Sequence, residues 1–160
     1  MPDYWLDSDT LIRSNRELTF DWLPSLWTIL REKGAEGIIA SSTYVYDELK
    51  DGEDNLAEWA AECRDFGFWV PPNERVQHAY SAIADYVEQH ETYAPEHVAT
   101  FLSKADAWVI AHALAGGGRV VTFETSQPLS AGPKIPDVAA NFGVGCLTLH
   151  EMLREMGVRI

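Results

Sequence analysis

Short apolar segments alternate with longer amphipathic segments along the whole chain, and this alternation constrains the fold more than any other feature. The segments that predict strands are residues 4–7, 37–40, 68–70, 119–123 and 145–147. Apolar strands separated by helices are typical of a parallel sheet that is covered on both faces. We therefore predict a single α/β domain over residues 1–160, a three-layer α/β/α arrangement around a mainly parallel sheet of about five short strands.

Residues with helical spacing fill the intervals between these strands, and capping residues precede several of them. Ser42, Asn73 and the Thr148–Glu151 pair are typical of helix N-termini. The predicted helices span residues 8–16, 21–33, 42–50, 54–66, 73–89, 96–115 with a break near Ser103, 135–142, and a last helix from Thr148 that Gly157 ends.

The chain carries 12 Lys and Arg residues against 25 Asp and Glu residues, a formal charge of −13. This excess of acid argues against nonspecific binding to nucleic acid or to anionic membranes, which needs clustered basic side chains. The sequence begins with acids where a signal peptide has positive charge, and no apolar run approaches the roughly 18 residues of a membrane span. With two widely separated cysteines, Cys63 and Cys146, the sequence predicts a cytoplasmic protein with reduced thiols and no membrane partner.

Acidic residues lie at or after the ends of the predicted strands. Asp7 ends the first strand, and Glu124 directly follows residues 119–123. Glu48 lies in the helix after the second strand, and Asp106 opens an otherwise apolar helix. Each acid alone is as readily a turn or capping residue, but ligands bind beyond the carboxyl ends of parallel strands, where these four could converge. Converging carboxylates need a cation, and ligation by oxygen alone favours Mg²⁺ or Mn²⁺.

Three motifs resemble those of PIN-domain nucleases and occur in that family's order. WLDSDTLI at residues 5–12 is an apolar strand followed by Asp, a small polar residue and a helix start. VYDELKDG at residues 45–52 places an apolar residue shortly before a Glu-Leu pair. KADAWVIAHALAGGGRVVTFE at residues 104–124 joins a helix that begins with Asp, through glycine, to a strand ending in Thr-x-acid. Residues 134–158 are also similar to the ending of an uncharacterised bacterial PIN-like subgroup.

The resemblance implies a bacterial Mg²⁺- or Mn²⁺-dependent endoribonuclease, often the VapC-like toxin of a type II toxin–antitoxin pair. It maps the catalytic and metal-binding acids to Asp7, Glu48, Asp106 and Glu124. The fourth position is commonly Asp, so Glu124 departs from the pattern, and Asp137 is a rival or additional contributor. Activated water would attack phosphorus in line. The implied partners are RNA, a protein antitoxin with a basic segment, and a second copy of the chain.

Two alternatives use the same residues. The run Asp7-Ser8-Asp9-Thr10 is also similar to the Asp-x-Asp signature of haloacid-dehalogenase-type phosphatases, in which Asp7 would be the phosphorylated nucleophile. Leu11 departs from that signature, and no late acidic pair near glycine follows Phe123. Alternatively, a PIN-like fold with a weakened acidic quartet could serve as a binding module without catalysis.

Few basic residues lie near the proposed site in sequence. We expect Arg13, Arg16 and Lys104 to contact RNA, with Lys134 as a further candidate and Arg119 ranked last. With so few cations, we expect recognition of a particular folded or single-stranded RNA.

Two further surfaces are candidates for partner contacts. Residues 47–65 contain eight acids, which predict a solvated face or a docking surface for a basic antitoxin. Three tryptophans are expected on buried faces and three are the better candidates for an interface or for base stacking, with core packing the likelier alternative for each. The first set is Trp5, Trp59 and Trp108, and the second is Trp22, Trp27 and Trp69.

Overall fold

The computed structural model describes residues 1–52 and 54–160. In this part of the chain the strands are β1 (Tyr4–Leu6), β2 (Ile39–Ser42), β3 (Trp69–Val70), β4 (Arg119–Val121) and β5 (Cys146–Leu147). The α-helices are α1 (Ser8–Glu17), α2 (Pro24–Ala35), α3 (Thr43–Leu49), α4 (Asn55–Glu62), α5 (Glu74–Gln89), α6 (Pro95–Ser103), α7 (Asp106–Gly116), α8 (Ile135–Asn141) and α9 (Leu149–Glu155). A 3₁₀ helix at Cys63–Phe66 follows α4.

The five strands form one sheet in the order β3-β2-β1-β4-β5, and every neighbouring pair is parallel. Tyr4 in the central strand β1 is in register with Ile39 of β2 and with Arg119 of β4. The chain builds the sheet outward through β2 and β3, then returns to the other side of β1 for β4 and β5. Strand order therefore reverses at β1, and ligands of such sheets bind beyond the carboxyl ends of the strands at this point. The predicted three-layer α/β/α class is confirmed.

Helices bury the sheet because its strands are apolar on both faces. Leu6, Ile39 and Val120 are fully inaccessible to solvent. Helix α7 contacts β1, β2 and β4 and packs along α5, whereas α2 contacts β2 and the 3₁₀ helix. The small side chains of Ala107 and Ala111 are fully buried and let α7 approach the sheet closely. A helix packed in this way holds its first residue, at the carboxyl edge of the sheet, in a fixed position.

The predicted capping residues begin the helices that the sequence assigned to them. Ser42 accepts a hydrogen bond from the backbone N–H of Tyr44, and Asn73 accepts one from that of Val76. Thr148 and Glu151 form a capping box at the start of α9. The break predicted near Ser103 is also confirmed, since α6 ends there and α7 begins at Asp106.

Two predicted boundaries are wrong near the second helix. That helix begins at Pro24 and not at residue 21, because proline at the first turn needs no hydrogen-bond acceptor for a backbone N–H. The second strand runs over Ile39–Ser42 and not over residues 37–40. Gly37 adopts a left-handed conformation, φ 78°, so it belongs to the turn that leaves α2.

Trp27 and Trp69 are core residues, so core packing, the likelier alternative for each, is confirmed, and an interface or base-stacking role is excluded for both. They are only 2% and 7% exposed, and their indole N–H groups donate to the carbonyls of Leu18 and Ala60, at 2.8 Å in both cases. Trp22 is 69% exposed and is the one member of that set that remains accessible. Trp108 is half-buried and stacks between Tyr44 and Tyr80.

The other expectations from composition concern the two cysteines, membrane-spanning helices and the acids of residues 47–65. Cys63 and Cys146 are both free thiols. Within the described residues, no helix combines the length and the apolar character needed to cross a membrane. Of the eight acids in residues 47–65, Glu53 lies outside the described residues, and the other seven are exposed. An exposed acidic segment is typical of a solvated face.

Candidate active site

Asp7 lies directly after β1 and is buried, with only 1% of the residue exposed. It is the N-cap of α1, and its Oδ1 accepts a hydrogen bond of 2.8 Å from the backbone N–H of Thr10. Its Oδ2 is also buried and has no hydrogen-bond partner among the described residues. Burial raises the pKa of Asp7 to about 6 against the lowering effects of Thr10 and of the nearby Thr122 hydroxyl, and the negative charge of Asp9 adds slightly to the rise. Buried carboxylate oxygens without a hydrogen-bond partner are uncommon in native proteins.

Asp106, the first residue of α7, is the predicted acid on which the charges of the other three act. Burial is the largest effect that raises its pKa to about 7, followed by the charges of Asp7, Glu124 and Glu48 in that order. Lys104 acts in the opposite direction. The other three acids of the predicted quartet are therefore near enough for their charges to act on Asp106.

Glu48, in α3, connects the starts of two other helices, α1 and α7. Its Oε2 accepts a hydrogen bond of 2.5 Å from the hydroxyl of Ser8, and its Oε1 accepts one of 2.7 Å from the backbone N–H of Ala105. Ser8 follows Asp7 and Ala105 precedes Asp106, so Glu48 links the two segments that carry these aspartates. The small polar residue at position 8 was noted in the sequence as part of the first motif, and this contact gives it a role.

Glu124 follows β4 and is fixed to the start of α8. Its Oε2 accepts a hydrogen bond of 2.7 Å from the backbone N–H of Ile135. Asp137, the rival for the fourth position, instead anchors the loop before α8. Its two carboxylate oxygens accept hydrogen bonds from the Ser126 hydroxyl at 2.5 Å and from the Gln127 backbone N–H at 2.7 Å. Glu124 therefore lines the cleft beside Asp106, whereas both Asp137 oxygens are engaged elsewhere.

A cleft of about 270 Å³ opens beside Asp106 and Glu124. Both Lys104 and Lys134 line it, although 30 residues separate them in sequence. Neither lysine forms an ion pair within the described part of the chain, in a protein whose charge is −13. The cleft thus combines carboxylates with ammonium groups that form no ion pair among the described residues, which is suited to a phosphate held near a cation.

Of the three arginines proposed from the sequence, one lies near the site and two lie elsewhere on the surface. The Arg13 guanidinium lies 4.5 Å from the centre of the Phe123 ring, next to Glu124, and also pairs with Glu17. Arg16 is exposed in the last turn of α1, and no hydrogen bond or ion pair among the described residues joins it to the acids. Arg119 opens β4, at the opposite end of the strand from Glu124, and pairs with Glu155 at 2.7 Å. Its last place in the ranking agrees with this position.

Other cleft residues were missed because no local signal marks them. His97 and Thr100 of α6, and Ser130 and Gly132 of the loop before α8, line the same cleft. The loop reaches α6 through a hydrogen bond from the Ala94 backbone N–H to the Ala131 carbonyl, at 2.7 Å. This contact joins segments far apart in sequence, and neither segment carries a motif that predicts it.

The predicted acids are close enough to Asp106 for their charges to raise its pKa, but they do not enclose a metal ion. Among residues 1–52 and 54–160, no group of three or more His, Cys, Asp or Glu side chains has the geometry to hold a metal ion. Both Glu48 oxygens and one Glu124 oxygen are held by hydrogen bonds. These hydrogen bonds fix the two glutamates to the starts of α1, α7 and α8.

Together, the fold and the site define an α/β protein with a carboxylate-lined cleft at the carboxyl edge of a parallel sheet. Residues 4–160 match the family described as a domain of unknown function, DUF4411, and the chain belongs to this family. A search of curated proteins finds no match to the chain. The family description names no activity, so the likeness to PIN-domain nucleases rests on the sequence motifs.

Proposed function

We propose that this protein is a metal-dependent ribonuclease that hydrolyses phosphodiester bonds at the cleft beside Asp106. The observation that carries the proposal is the raised pKa of Asp106, about 7, which burial and the charges of Asp7, Glu124 and Glu48 produce together in a cleft at the carboxyl edge of the sheet. Such an arrangement is unfavourable without a compensating cation, and strongly shifted carboxyl groups in a cleft are typical of functional sites.

The donor atoms at this point fit Mg²⁺ or Mn²⁺. They are all carboxylate oxygens, the ligands that hard divalent cations prefer, and the Asp7 Oδ2 atom is buried without a partner among the described residues. Asp7 and Asp106 would hold the cation directly, and Glu48 and Glu124 would act through water, because Mg²⁺ keeps several of its waters in protein sites. When bound, the cation supplies an activated water for attack on phosphorus and neutralises charge on the leaving oxygen.

The chain's own residues position these groups before substrate arrives. The backbone N–H of Thr10 orients the Asp7 carboxylate at the start of α1. Glu48 holds the starts of α1 and α7 together through Ser8 and Ala105. Because these contacts involve helix termini and a fixed sheet edge, the carboxylates need little reorganisation during the reaction.

The two lysines of the cleft support a phosphate-containing substrate. Lys104 and Lys134 would bind phosphates of the RNA backbone next to the bond that is cleaved, since unpaired ammonium groups are typical phosphate ligands. Arg13, stacked on Phe123, would extend this contact along the strand. Because the chain has so few basic side chains and a charge of −13, its RNA binding should involve only phosphates close to the cleft and should be sensitive to salt.

The choice of RNA and the biological role rest on the motif resemblance. We infer a toxin of a type II toxin–antitoxin pair, working in the cytoplasm, whose antitoxin carries a basic segment and docks against the exposed acids of residues 47–65. Homodimerisation is part of the same inference. A neighbouring reading frame that encodes a small protein with a basic tail would support the toxin role, and co-purification of the two products would test it.

The experiment that tests the proposed activity is cleavage of RNA with Mg²⁺ or Mn²⁺ by the wild type, Asp7→Asn and Asp106→Asn. The expected losses are at least about 100-fold, because each change removes a carboxylate from the cation site. Asp21→Asn, which removes an exposed carboxylate outside the cleft, should cleave as the wild type does. Robust cleavage by both site variants, or full activity in chelator, would refute the proposal.

The same preparation distinguishes the two alternatives. A haloacid-dehalogenase-like phosphatase would transfer phosphate from a small ester to Asp7, which mass spectrometry of trapped enzyme would detect. A binding module would take up Mn²⁺ and RNA without cleaving it. Asp9 is exposed and does not share the burial of Asp7, so the structure offers no specific support for the phosphatase.

A further inference from the structure

Three aromatic rings, from α3, α7 and α5, form one aromatic stack (Tyr44, Trp108 and Tyr80). The ring centres of Tyr44 and Trp108 are 4.6 Å apart with their planes 15° from parallel, and those of Trp108 and Tyr80 are 3.9 Å apart at the same angle. The Tyr80 hydroxyl donates a hydrogen bond of 3.3 Å to the Leu102 carbonyl. Because three helices and this hydrogen bond hold the stack together, the orientation of the Tyr44 ring is fixed.

Tyr44 is the most accessible member of the aromatic stack. The residue is 38% exposed, whereas Trp108 and Tyr80 are half-buried. Among the described residues, Trp108 is the only ring that stacks on Tyr44, so the opposite face of the Tyr44 ring has no aromatic partner. A rigid, exposed aromatic face is suited to a nucleobase, since every base has a flat π-face that can stack on it.

Tyr44 lies at the same edge of the sheet as the acidic cleft. It is the second residue of α3, which begins where β2 ends. Glu48 follows four residues later on the same face of this helix, with the two Cβ atoms about 6 Å apart. The Glu48 Oε1 atom accepts the hydrogen bond from the backbone N–H of Ala105, the residue before Asp106. Tyr44 is therefore about one helical turn from a side chain that contacts the start of α7.

Tyr44 and the lysines of the cleft lie on opposite sides of Asp106. Residues two apart in an α-helix differ by about 200° in direction, so Asp106 and Trp108 point to opposite sides of α7. Asp106 lines the cleft together with Glu124, whereas Trp108 contacts Tyr44. In the sheet, β2 and β4 flank β1 and are about 10 Å apart. A nucleic-acid strand that contacts both the lysines and Tyr44 therefore passes over Asp106.

The charges near Tyr44 favour a base over a phosphate at this position. Asp47 is exposed and lies three residues after Tyr44, on the same side of α3. Lys50 pairs with Asp47 at 3.2 Å and so is already engaged. These acids repel a phosphate but not an uncharged base. The lysines on the other side of Asp106 have the opposite preference.

We propose that Tyr44 binds an unpaired base of the RNA substrate by stacking, close to the bond that is cleaved at Asp106. The inference rests on the proposed ribonuclease function and adds a substrate-binding residue to it. The base stacks on the outer face of Tyr44, Lys104 and Lys134 contact phosphates on the other side, and the strand crosses Asp106 between them. Bases within a duplex are covered by their neighbours, so the same RNA should bind less tightly when it is annealed to its complement.

The test is the binding of a fluorescent single-stranded RNA to the full-length protein, measured by anisotropy in chelator at low salt. Tyr44→Ala should weaken binding at least about fivefold, and Tyr44→Phe, which keeps the ring, should bind as the wild type does. Tyr44→Leu keeps an apolar cover over Trp108 and so protects the fold, yet it should weaken binding as Tyr44→Ala does. Trp22→Ala, a change of an exposed aromatic residue outside the stack, should not weaken it.

A second measurement separates contact with the base from a structural role. RNAs that lack one base at a time should show a position where loss of the base weakens binding to the wild type but not to Tyr44→Leu. The inference is overturned if Tyr44→Leu binds as the wild type does, if Tyr44→Phe loses as much as Tyr44→Leu, if no such position exists, or if no single-stranded RNA binds. Cleavage that does not depend on Tyr44 would refute this inference alone, whereas binding through Tyr44 without cleavage in Mg²⁺ or Mn²⁺ would refute only the nuclease.

Discussion

Replacing Asp7 by Asn should remove much of the pH dependence of stability in the metal-free protein. Burial raises the pKa of Asp7 from 3.8 to about 6 in the folded state. The folded protein therefore binds the proton more tightly than the unfolded chain does. This contribution to stability is complete below pH 3.8 and is lost as the pH rises through about 6.

The size of the effect follows from the shift. A shift of about two pH units at about 1.4 kcal/mol each gives a loss of about 3 kcal/mol between acid and neutral pH. For a domain of this length, that loss corresponds to roughly 6–12 °C in Tm. The Asn side chain keeps an oxygen for the Thr10 N–H but carries no charge, so the variant lacks this loss. Removing the Asp7 charge also reduces the repulsion on Asp106, which flattens the profile further.

The assay is the free energy of unfolding by urea in chelator, measured from about pH 4 to about pH 8. The wild type should lose stability over this range by about 3 kcal/mol more than Asp7→Asn does. Asp21→Asn, an exposed control, should follow the wild type. Equal pH dependence in the wild type and Asp7→Asn would refute the reasoning, because the buried carboxyl would then not titrate with a raised pKa.

The remaining predictions concern substrate, scaffold and core. Lys104→Gln and Lys134→Gln should each raise KM for RNA several-fold at low salt with little change in kcat, and an unchanged KM would remove the lysines from the substrate path. Ser8→Ala removes the hydrogen bond from Ser8 to the Glu48 carboxylate, which joins α1 to α7. This variant should lower kcat by about tenfold without changing the far-ultraviolet circular dichroism. Full activity would show that the contact is dispensable. Trp59→Ala should cost about 3–5 kcal/mol in urea unfolding, whereas Trp22→Ala, at a position 69% exposed, should cost under about 0.5 kcal/mol, and similar costs for both would contradict the burial assigned to them.

Local signals were sufficient to predict the elements. Asn73 begins α5 and Thr148 begins α9, because a capping side chain satisfies backbone groups only a few residues away. The apolar run of β4 and the helical spacing of α7 are similarly local. The boundaries of α2 and β2 differ from the predicted ones by a few residues, because Pro24 and Gly37 impose backbone geometry of their own.

These local signals could not predict how segments distant in sequence are arranged. The sequence gives no indication that β1 lies between β2 and β4, since pairing depends on packing across the whole sheet. Core packing was the likelier expectation for Trp27 and Trp69, but their hydrogen-bond partners, which are carbonyls of other segments, could not be predicted. The acids of the proposed site could be selected because strand ends meet at one edge, but the loop contacts that distinguish Glu124 from Asp137 could not be predicted.

The most direct test of the central claim is a crystal structure of the protein with Mn²⁺, located by anomalous scattering. The account predicts a manganese peak beside the carboxylates of Asp7 and Asp106, with Glu48 and Glu124 in the surrounding layer, and no such peak in Asp106→Asn. A manganese ion bound elsewhere, or none at this edge in a preparation that still cleaves RNA, would contradict it.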